Sequence, residues 1–98
     1  MAMNQPAHPA IEREIARYIG VLADSMNRTS RAEDRGLYEK HLVAAAVFLA
    51  EFLESGSVAR VLSALQAEER SFGWSFLDGE PGREAEAAFG RLLNVVRR

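Results

Sequence analysis

Tyr38-Glu-Lys-His-Leu-Val-Ala-Ala-Ala-Val-Phe-Leu-Ala-Glu-Phe-Leu-Glu-Ser55, followed at once by Gly56-Ser57, is the stretch whose reading decides the fold. On a 3.6-residue wheel, Tyr38, Leu42, Ala45, Phe48, Leu49, Phe52 and Leu53 share one side, the stripe a helix buries against a core. Gly56 tolerates the left-handed conformation that ends a helix, and Ser57 offers an oxygen that starts the next. The chain is therefore expected to double back there. Upstream, Ser30-Arg-Ala-Glu33 has the spacing of a capping box, which places this helix at 32–54.

The other side of the same helix carries Val43, Val47 and Ala50 among Glu39, Lys40, Glu51 and Glu54. A helix that is apolar most of the way round is covered by more than one neighbour. Val43, Val47 and Ala50 are accordingly expected to meet another helix of the chain or a second subunit. A homodimer is the simplest such assembly, since two-fold pairing is the commonest.

Working outward, Ile11, Ile15, Tyr18, Ile19, Leu22 and Met26 form one stripe, which predicts a helix over 11–26. Its second face holds the small residues Ala16, Gly20 and Ala23, which suit either a close helix approach or an open surface. Val58, Val61, Leu62, Leu65 and Phe72 predict a third helix over 57–72, and Ala85, Ala88, Phe89, Leu92 and Val96 a fourth over 83–96. Between them, three glycines and a proline in residues 73–82 mark a loop, with Pro81 suited to the first turn of the last helix. Residues 1–9 form a polar, proline-marked tail expected to be disordered, and 10–98 a single domain. No strand-like alternation appears, so the fold class is all-α, an antiparallel up-and-down bundle of four helices.

Composition narrows the function classes. With no cysteine, thiol nucleophiles and zinc–thiolate sites are excluded, and a cytoplasmic location is expected. The longest apolar run, Leu42 to Ala50, falls well short of the ~20 residues that span a bilayer, so no membrane partner is expected. No secretory signal is evident at the start. The net charge is −2, and Glu33 and Asp34 interrupt the local cluster of Arg28, Arg31 and Arg35, which argues against nucleic acid. Lys40 is the sole lysine among 12 basic residues, an arginine bias typical of a GC-rich bacterial genome.

Two titratable residues fall on core stripes: His41 beside Ala45 and Phe48, and Glu69 beside Leu62, Leu65 and Phe72. Folding the helices about their turns brings Tyr18 and Tyr38 near the same level. Tyr18, Tyr38, His41 and Glu69 thus form a candidate pocket or polar network, because buried polar groups require partners. A small-molecule ligand or substrate held there is the alternative to a protein partner. No nucleophile or oxyanion arrangement accompanies these residues, so no catalytic residue is assigned. Metal binding lacks the necessary ligand spacing, and no cofactor is implied. A minor alternative is a histidine phosphotransfer-like domain, a four-helix bundle with one reactive histidine. Of that motif, Lys40-His41-Leu-Val-Ala44-Ala45 keeps only the small residue, and His41 faces the core on the wheel. Trp74 in the 73–82 loop is expected either to plug the open end of the bundle with Phe76 and Leu77, or to anchor a protein partner.

Overall fold

A computed structural model describes residues 9–72 and 79–97, with the side chains of 71 and 72 left aside. Four helices make up the described residues: α1 (Pro9–Arg28), α2 (Ala32–Ser55), α3 (Val58–Phe72) and α4 (Gly79–Arg97). No strand occurs among them, and the fold is all-α. The loop around Trp74 and the tail before Pro9 lie outside the described residues.

The starts of α1, α2 and α4 depart in detail from the sequence expectation, each for a local reason. Pro9 opens α1 two residues early, at the position where its fixed φ and missing N–H suit a first turn. The N-cap of α2 is Arg31 rather than Ser30, with extended φ −95° and ψ 122°, and no side chain caps it. Instead of a capping box, Thr29 supplies the turn: its Oγ1 accepts from the Arg31 N–H at 3.3 Å, and its carbonyl accepts from Arg35 at 3.1 Å. Finally, α4 starts at Gly79, so Gly79-Glu-Pro-Gly82 is helical rather than loop. Gly79 enters with φ +79°, which few side chains permit, and Pro81 takes a first-turn place where its absent N–H costs nothing.

The turn between α2 and α3 forms as the sequence requires. Gly56 sits at φ 66°, and its N–H donates to the Phe52 carbonyl at 2.7 Å. Ser57 Oγ then accepts from the Arg60 N–H at 3.2 Å, capping α3.

One hydrophobic cluster draws on all four helices. Ile15, Tyr18 and Leu22 of α1 lie at its centre, meeting Tyr38, Ala45 and Phe48 of α2 and Ala85, Phe89 and Leu92 of α4. Helix α1 packs most extensively, against both α2 and α4, while α3 leans more lightly on its two neighbours. The end of α1 meets the start of α4, where Ser25 Oγ donates to the Pro81 carbonyl at 3.1 Å and Arg28 pairs with Glu84 and Glu80. At the other end, Ala10, Arg13 and Glu14 line a common hollow with Arg91, Asn94 and Val95.

The structure corrects one expectation about exposure and decides between two others. Leu53, placed on the core stripe of α2 by the wheel, is 61% exposed, because it lies one step round from Phe52 on the edge of the buried face. Gly20 approaches nothing: a Cβ built there would meet no atom within 4 Å. Gly20→Ala should therefore stabilise the chain by about 1 kcal/mol, the helix-propensity difference, read as a raised denaturant midpoint. No gain would mean that a neighbour does crowd this face.

Candidate functional site

The candidate polar network resolves into two groups rather than one. In the first, His41 of α2 and Glu68 of α3 meet in the interior. His41 Nδ1 lies 2.6 Å from Glu68 Oε1, with the two residues 1% and 7% exposed. One proton lies between the two atoms, so the contact is a buried hydrogen bond that satisfies a polar atom of each residue. Tyr18 of α1 is fully buried alongside, with its ring edge-to-face on Phe89 at 5.7 Å between centroids.

Glu69 is not part of this group. It is exposed, and the adjacent Glu68 takes the place expected of it. The buried face of α3 centres on Val61, Leu65 and Glu68, with Leu62 partly buried at its edge and Glu69 beyond that edge.

Tyr38 belongs to the second group, at the junction of α1, α2 and α4. It is fully buried one helical turn after Asp34, itself 3% exposed, and its hydroxyl has no hydrogen-bond partner among the described residues. Asp34 Oδ2 lies 3.8 Å from Arg31 Nε, and Ser25, also fully buried, holds the Pro81 carbonyl. Neither Ser25 nor Asp34 was singled out by the sequence pattern. An open hollow of about 250 Å³ beside them is lined by Arg28, Ser30, Arg31, Asp34 and Pro81, among others. His41 and Glu68 do not reach it.

Both tyrosines titrate above their ordinary range. Burial is the main cause for Tyr18, and the charge of Glu68 adds to it. For Tyr38, burial again leads, followed by the charge of Asp34. The consequence for stability follows from the sign. A phenol whose pKa is higher in the folded than in the unfolded chain contributes stability that is complete below about pH 10 and is lost as pH rises above it. Alkaline titration should thus unfold the protein progressively above pH ~10, and Tyr18→Phe should move that limb upward. A Tyr18→Phe variant with an unchanged alkaline limb would assign the loss to other groups.

What this arrangement can do chemically is limited by access. His41 and Glu68 are sealed between helices, so the pair is placed to brace α2 against α3 rather than to meet a substrate. The same burial shields His41 from a phosphodonor. No group of three or more His, Cys, Asp or Glu among the described residues is placed to hold a metal ion, and none of the described helices is long and apolar enough to cross a membrane.

The outer face of α2 is the contrasting feature. Val43 and Val47 are 61% and 52% exposed in the middle of a 24-residue helix, with Ala46 and Ala50 exposed beside them. Trp74 lies outside the described residues. Comparison with protein-family models, with curated proteins and with solved structures finds no match for this chain.

Proposed function

We propose that this chain is a non-catalytic helical interaction or regulatory module that acts by binding a protein partner or a second copy of itself. One observation carries the reading: Val43 and Val47 stand more than half exposed at the centre of α2, while the opposite face of that helix is already committed to the core. Exposed β-branched residues on a central helix lose favourable burial unless something covers them. The arginine-rich composition and absence of cysteine fit a cytoplasmic protein of a GC-rich bacterium. A small-molecule sensor or enzyme has less support, because the polar pair it would use is enclosed.

Photo-crosslinking in the host cell tests this directly. A benzophenone side chain placed at position 47 should give a discrete adduct with a protein, and one placed at the polar, exposed position Glu86 should not. Equal labelling at both positions, or none at 47, would overturn the reading.

A further inference from the structure

We propose that the occupant of this face is a second copy of the chain, with the two α2 helices running in opposite directions about a two-fold axis at Val47. The inference rests on the reading of α2 as a docking surface and supplies its partner. Gly36, Lys40, Val43, Val47, Ala50 and Glu54 recur at alternating steps of four and three residues, and all six are exposed. That 3.5-residue repeat is the spacing by which one helix lies along another.

The charges on this seam are self-complementary in one direction only. Lys40 stands at one end and Glu54 at the other, each seven residues from Val47. Turned about Val47, a second copy sets its Glu54 against Lys40 and its Lys40 against Glu54, giving two identical ion pairs. Between them Val43 falls opposite Ala50 of the second copy, large against small, and Val47 lies on the axis. Glu51 flanks the seam on the same side as Lys40, so it reinforces the match, whereas Glu39 lies on the opposite flank. A parallel pair would instead stack Lys40 on Lys40 and Glu54 on Glu54, which like-charge repulsion disfavours.

The seam is one helix wide, so the dimer is expected to be small and reversible, dissociating on dilution.

Sedimentation equilibrium of the full chain tests this. The wild type should show a monomer–dimer equilibrium. Lys40→Glu and Glu54→Lys should each weaken it by about tenfold, and the two together should restore it, because the swap rebuilds both pairs. Circular dichroism keeps the variants comparable, since both positions are exposed and neither substitution touches the core. Failure of the double reversal to restore association overturns the antiparallel pairing. A wild type that stays monomeric to ~1 mM overturns self-association altogether. In that event, an adduct from position 47 with a different protein would leave the docking reading standing, and no adduct would remove both.

Discussion

Glu68→Ala is expected to cost about 3–5 kcal/mol of stability, more than any surface change in this chain, because it breaks one half of a buried hydrogen-bonded pair. The substitution takes away the oxygen lying 2.6 Å from His41 Nδ1 and leaves a void where water has no easy path. For a domain this small, such a loss is a large part of the total, so the variant should unfold at a much lower denaturant midpoint. Replacing both partners tells a different story. His41→Leu with Glu68→Met fills the same space with apolar atoms and leaves no polar group stranded, so the double variant should stay within about 1 kcal/mol of wild type. Chemical denaturation of the three proteins decides it. If the double variant is as unstable as Glu68→Ala, the pair contributes through more than mutual satisfaction, and its role as a brace between α2 and α3 is wrong.

The second large effect concerns Phe89. It is 3% exposed and contributes to the same cluster as α1 and α2, with its ring set edge-to-face on Tyr18. Phe89→Ala should cost about 3–5 kcal/mol, from lost transfer energy and from the cavity left between α4 and α1. Phe89→Leu refills most of that volume and should recover more than half of the loss. Thermal unfolding followed by circular dichroism measures both. A small effect of Phe89→Ala would mean that α4 is not seated on α1 through this ring.

Helix existence was legible because each helix except α2 is strongly one-sided, and a periodic apolar stripe is the signal that survives without tertiary knowledge. The turn at Gly56-Ser57 was equally legible, since a left-handed glycine and a serine cap are local chemistry. Helix ends were less so. Ser30 and Glu33 have the spacing of a capping box, but Thr29 organises the turn one residue earlier and displaces it. Gly79 read as a loop residue because glycine punctuates loops as readily as it opens a helix, whereas Pro81 stands in the first turn of the last helix, the place its fixed φ suits.

The candidate site shows where periodicity runs out. Leu65 belongs equally to the stripe that includes Glu68 and to the one that includes Glu69, and only the rotation of α3 against α2 chooses between them. Tyr18 and His41 were correctly placed in the interior, while Tyr38 was grouped with them although its surroundings are Asp34 and the end of α1. Burial of Ser25 and Asp34 leaves no mark in local sequence, because it comes from the way α4 enters over α1. By contrast, the wheel set Val43, Val47 and Ala50 apart from the core stripe of α2 but left open whether another helix of the chain covers them, and no described helix does.

The central claim, that the outer face of α2 is open in the single chain and closes on a partner, can be read from one thiol. The chain has no cysteine, so Val47→Cys provides a unique reporter. In dilute purified protein this thiol should react with a maleimide at nearly the rate of a free cysteine, because residue 47 is half exposed. As concentration rises and a second copy occupies the face, the rate should fall by about tenfold, following mass action. A rate that is slow at every dilution would contradict the account, for the chain itself would then be covering Val47.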